Sequence, residues 1–126
     1  YLKDVDAQQL KFLYRAKSFL DVGIPLGGGT DAPFGGADPW AAMHAAVHRE
    51  TALGEVIGER EKLSPEQAIS MFTSSAETPG GPSRQISPGR TADLCLLARP
   101  WSEARTRLSS DDVAMTVMGG TVTYRR

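Results

Sequence analysis

Cysteine is almost absent: the 126 residues hold one, Cys95. One thiol closes no internal disulfide, so a disulfide-stapled scaffold is excluded and a cytoplasmic (cytosolic) setting is the default expectation. Its surroundings, Leu94-Cys95-Leu96-Leu97, predict a small buried core residue rather than a reactive thiol. Long hydrophobic runs are also missing, and none approaches the roughly 18 residues of a membrane span. Charge of one sign is not in excess: 14 Lys and Arg against 15 Asp and Glu leave a net charge of −1. That balance gives no electrostatic case for nucleic acid or an anionic membrane as partner. Methionine is missing from the first position, where Tyr1 stands, and no signal peptide precedes it, so a chain cut from something longer is expected. No internal repeat or low-complexity tract is present. The run Gly27-Gly28-Gly29 lacks the later Gly-Lys-Ser/Thr that grips phosphates.

What is present is ordinary in bulk, with 40% hydrophobic and 23% charged residues, and a length that suits one domain or part of one. The informative stretch runs from Gly23 to Trp40. Ile24-Pro25-Leu26 fits a short buried strand. Three glycines follow, where a chain turns sharply or lets another backbone come close. Asp31 then stands alone between Thr30 and Ala32, and Pro33 stops regular structure. Asp38-Pro39 reads as a helix start, with an Asp cap and proline at the first helical position. The order is strand, glycine-rich turn, acid, loop, helix. In a barrel of parallel strands that acid faces the catalytic mouth. Most loop aspartates only cap a turn, and spacing alone leaves both readings open.

Elsewhere, Asp6-Ala7-Gln8-Gln9 has capping-box spacing and predicts one helix through Leu10, Leu13, Tyr14 and Leu20 to Gly23. A second helix is expected from Pro39 to Leu53. It carries His44 and His48, four apart and so on one face. Such a pair binds zinc in His-Glu-x-x-His metalloproteases, but Ala45 follows His44, so that motif's general base is missing. Polar residues on a partly exposed helix face are the plainer reading. Ser64-Pro65-Glu66-Gln67 predicts a third helix with a capping box, broken by Thr78-Pro79-Gly80-Gly81-Pro82. Ser74 and Ser75 have no partner at nucleophile spacing and read as packing or capping residues. Strands are expected at 92–97, 113–117 and 121–124, the last two joined by Gly119-Gly120 as a hairpin. Residues 99–112 read as a polar connection anchored by Trp101.

Three ordered stretches carry a family likeness: Gly29-Thr30-Asp31-Ala32-Pro33 with Asp38-Pro39-Trp40; Leu63-Ser64-Pro65-Glu66-Gln67-Ala68 with Thr73; and Ile86-Ser87-Pro88-Gly89-Arg90-Thr91-Ala92-Asp93-Leu94, followed by Val117-Met118-Gly119-Gly120-Thr121-Val122. Together they resemble the C-terminal part of the amidohydrolase superfamily, in the branch of N-substituted formamide deformylases and related metal-dependent hydrolases. The resemblance implies an α/β fold: the end of a (β/α)₈ TIM barrel over residues 1–82 and part of a small β-sandwich over 83–126. It makes 24–30 the last barrel strand and Asp31 the carboxylate at its mouth, as catalytic base, proton shuttle and metal ligand. Thr30 and Pro33 would position that loop, and Phe34 and Trp40 would line a pocket or pack in the core.

The family's other metal groups, a His-x-His pair, a mid-barrel lysine or acid and two later histidines, have no match here, and no metal role passes to His44 or His48. A complete barrel needs about 250 residues, so the expectation is a C-terminal piece whose missing N-terminal part holds most of the metal site. The implied reaction is hydrolysis of a non-peptide C–N bond in a small-molecule amide or formamide. The implied cofactor is a divalent metal, with zinc leading because imidazole and carboxylate both suit it. A homo-oligomer is left open. The competing expectation is a non-catalytic remnant or interaction module without a metal site.

Overall fold

The computed structural model describes residues 4–126. The chain is α/β: five α-helices and one three-stranded antiparallel sheet among the described residues. Helices α1 (Ala7–Leu10) and α2 (Ala16–Asp21) replace the single helix expected there. The Asp6 side chain makes no capping bond, and Tyr14 turns left-handed at φ 50. The break has a physical cause further along the chain. A continuous helix would join the Ser18 N–H to the Tyr14 carbonyl. Instead the Glu61 carboxylate accepts the Ser18 N–H at 2.9 Å and the Ser18 hydroxyl as well. The Arg49 guanidinium meanwhile donates to the Leu13 and Tyr14 carbonyls, each at 2.9 Å, and to that of Ile57 at 2.6 Å. Burial alone would raise the Glu61 pKa. The two Ser18 bonds, with Arg15 and Arg49 nearby, hold it below the ordinary value.

Helix α3 (Pro39–His48) starts as expected, with Asp38 Oδ1 accepting the Trp40 N–H at 2.8 Å. It ends five residues before Leu53 because Arg49 takes a left-handed conformation, φ 56, and its N–H closes back on Ala45. Helix α4 (Pro65–Thr73) carries the full capping box: Ser64 Oγ accepts the Gln67 N–H at 3.1 Å, and Gln67 Oε1 accepts the Ser64 N–H at 2.9 Å. Ser74 and Ser75 act as local caps, accepting the N–H groups of Gly80 and Glu77.

The expected strand at 24–30 has no ladder partner among the described residues. A parallel barrel strand exists only through neighbours on both sides, and none is present to pair with it. The sheet instead joins β1 (Leu94–Leu97), β2 (Val113–Met118) and β3 (Thr121–Arg125) in that order. Gly119 and Gly120 both take positive φ, 56 and 82, as a two-residue hairpin turn requires. The polar connection contains a helix, α5 (Trp101–Arg107), whose Trp101, Ala104 and following Leu108 share one side at i, i+3, i+7.

The core is drawn from both halves of the chain: Trp40, Met43 and Ala68 pack with Leu108 and Val113, and Ile69, Phe72, Leu97 and Trp101 pack around them. Trp101 is an anchor as expected, donating through Nε1 to Glu66 at 3.2 Å. Cys95 is exposed rather than buried. It lies on β1, a strand paired on one side only, where the sheet is left uncovered. No helix of the described residues is long and apolar enough to cross a membrane.

Candidate functional site

Asp31 sits at the end of a segment pressed against α4 and the turn that follows it. The Gly28 N–H donates to the Met71 carbonyl at 2.8 Å. A Cβ on Gly28 would fall 2.6 Å from the Phe72 ring, and one on Gly27 would fall 2.7 Å from Pro79 Cβ. Gly80, at φ +73, approaches so closely that a Cβ there would lie 2.7 Å from the Pro25 carbonyl carbon. Two of the three consecutive glycines are therefore required by close packing. The third is not, since nothing lies within 4 Å of a Cβ on Gly29.

Beyond Gly29 the chain makes a tight loop. Asp31 is exposed and left-handed, at φ 58, and the Ala32–Pro33 peptide is cis. The left-handed region is uncommon for side chains other than Asn, Asp and His, so the backbone here suits the residue that occupies it. The Gly35 N–H donates to the Asp31 carbonyl at 2.8 Å, and a Cβ on Gly35 would overlap the Thr30 carbonyl oxygen. The far end of the loop is fixed at Asp38, whose Oδ2 accepts the Ser110 hydroxyl at 2.7 Å. The loop thus projects one carboxylate into solvent from a backbone held at both ends. Thr30 is half-buried within it. Of the two aromatics, Phe34 is 92% exposed and lines nothing, while Trp40 belongs to the core.

A cavity of about 1050 Å³ opens beside this segment, lined by Gly27, Gly28, Ala45, Ala46, Met71 and Phe72 among others. Asp31 does not line it, so this cavity and the candidate acid are separate features. Among the described residues no group of three or more His, Cys, Asp or Glu side chains could hold a metal. Asp31 offers one carboxylate, and the described residues alone do not make a metal site. His44 and His48 lie together on α3 with ring centroids 4.2 Å apart.

The positioning residues Gly35, Met71, Phe72, Pro79 and Gly80 escape a sequence reading centred on the acid. Thr78-Pro79-Gly80 reads as a helix breaker, and the signal that it also meets the glycine run was only the presence of two glycine-rich turns.

The family model for the amidohydrolase family matches residues 1–124. The N-substituted formamide deformylase of Arthrobacter pascens is 30% identical over 118 residues, which cover 90% of this chain. Those residues span 22% of the deformylase's own length. No solved structure matches the chain.

Proposed function

From the premise that this chain belongs to the amidohydrolase family, we propose that it forms the C-terminal part of an enzyme hydrolysing a small-molecule amide or formamide, with Asp31 as the catalytic base. Residues 1–82 belong in this reading to the catalytic barrel and 83–126 to a small β domain. The observation that carries it is the exposed, left-handed Asp31 at the end of a segment clamped by α4. The similarity to an N-substituted formamide deformylase supports the substrate class.

The chemistry a divalent metal supplies in such a reaction is acidified water and a polarised carbonyl. Its ligands must come mainly from residues outside this chain. What this chain contributes is a proton path. The Asp31 carboxylate takes a proton from the attacking water and returns it to the leaving nitrogen, which departs poorly unless protonated. A fixed loop serves that role, because a base must sit within hydrogen-bond reach of the proton it moves.

The test is Asp31→Asn in the enzyme that contains this chain, assayed on an N-formyl or N-acyl amine. Asn tolerates the left-handed backbone and keeps the side chain's size, so the loop survives. The expected kcat falls by roughly 10²–10⁴-fold, the usual cost of a lost general base. Asp38→Asn is the control, since Asn caps a helix about as well as Asp. Near wild-type kcat in Asp31→Asn would make Asp31 a turn residue.

A further inference from the structure

We propose that His44 and His48 form a two-imidazole chelate for a divalent transition-metal ion at the C-terminal end of α3. This site does not depend on the activity proposed above. Trp40 and Met43 fix the buried side of α3, with Val47 packed against the same core. His44 and His48 follow Met43 and Val47 by one position each, which turns them away from that core along a single edge. His44 is exposed and His48 half-buried. Their rings lie side by side, with centroids 4.2 Å apart and planes tilted by 35°. Two ligands already side by side lose less rotamer freedom when an ion binds.

Two further features favour a cation there. His48 ends the helix, where the backbone dipole presents its negative end. The Glu50 carboxylate, two residues past His48, adds negative charge beside the pair. No third protein ligand completes a cluster among the described residues, so water fills the remaining positions. Imidazole suits copper, nickel and zinc, with copper bound most tightly, whereas magnesium and calcium demand oxygen ligands.

The test titrates this chain with Cu(II), Ni(II), Zn(II) and Mg(II), by calorimetry and by proton NMR of the imidazole C2–H signals. The chain has only two histidines, so both signals are accessible without ambiguity. One ion per chain is expected, in the order copper before nickel and zinc, with both signals broadening together on Cu(II) and no response to Mg(II). His44→Gln or His48→Gln should weaken binding on the order of 10²-fold, the scale on which a second, intramolecular contact adds to the first. Cys95→Ser should leave binding unchanged. The proposal is overturned if wild type binds none of the three ions, if only one imidazole responds, or if the double Gln variant binds as wild type does. The NMR readout on wild type decides even if a variant fails to fold.

Discussion

Gly80 and Gly89 have nearly the same backbone, φ +73 and +83, but different surroundings. A Cβ on Gly89 meets nothing within 4 Å, whereas one on Gly80 meets the backbone of Pro25 and Leu26. Gly89→Ala should therefore cost only the left-handed penalty, about 1–2 kcal/mol. Gly80→Ala should cost more, because backbone must move and the segment leading to Asp31 moves with it. Urea unfolding of the two variants at low protein concentration, followed by tryptophan fluorescence, measures the difference; equal costs would deny the close approach. At this scale the sequence was half legible. Asp31 stands out as a lone acid after glycines, and the Asp38 cap was readable from its proline. The loop's internal geometry was not, because the Gly35–Asp31 bond and the crowding at Thr30 depend on how the loop closes.

Elements were legible where their determinants are local. The α4 capping box and the Gly119-Gly120 hairpin need only neighbouring residues. The gap between α1 and α2 was hidden because its cause is Arg49 and Glu61, side chains 35 to 43 residues away from their partners. Helix α5 was masked by its charged residues, although the Trp101, Ala104, Leu108 spacing was present. One of its arginines joins it to α4. Arg105 meets the Glu66 carboxylate through two bonds, 2.8 and 3.1 Å. The Arg105 bonds, helped by Trp101, hold the Glu66 pKa down from 4.5 to about 2. A carboxylate with a lowered folded pKa stabilises the fold above its unfolded value and loses that effect as pH falls through the folded one. Wild type should thus melt above Glu66→Gln from pH 6 down to about 4.5, and the gap should close as pH approaches 2. A gap that persists at pH 2 would mean the pair acts by packing alone. The bridge is exposed, so the effect should also shrink in salt.

At the scale of the whole molecule, the sequence carried the β character of the last third and the helical character of what precedes it. The strand expected at 24–30 does not form, because pairing is a property of several strands and that segment finds no partner among the described residues. The result is apolar surface left open: Ile24 is 44% exposed, Leu96 42% and Val122 52%. Edge strands β1 and β3 also keep one unpaired side each. Expressed alone, the chain should bind a dye that reports apolar surface and self-associate as its concentration rises. It should hydrolyse no amide, since among the described residues no group of side chains joins Asp31 to hold a metal. Dye binding, light scattering and a formamide assay check this, and a dye-silent monomer with metal-dependent turnover would refute it.

The shared core has a consequence for cutting the chain. The turn around Ser87 to Arg90 is exposed, yet Trp40, Met43 and Ala68 before it are packed against Leu108 and Val113 after it. Covalent continuity at Arg90 is thus not what keeps the two parts together. Brief trypsin treatment that nicks after Arg90 should yield two bands on a denaturing gel that still elute as one particle in native buffer. Such a nicked pair would be a natural starting point for splitting the chain into two separately encoded, self-assembling pieces.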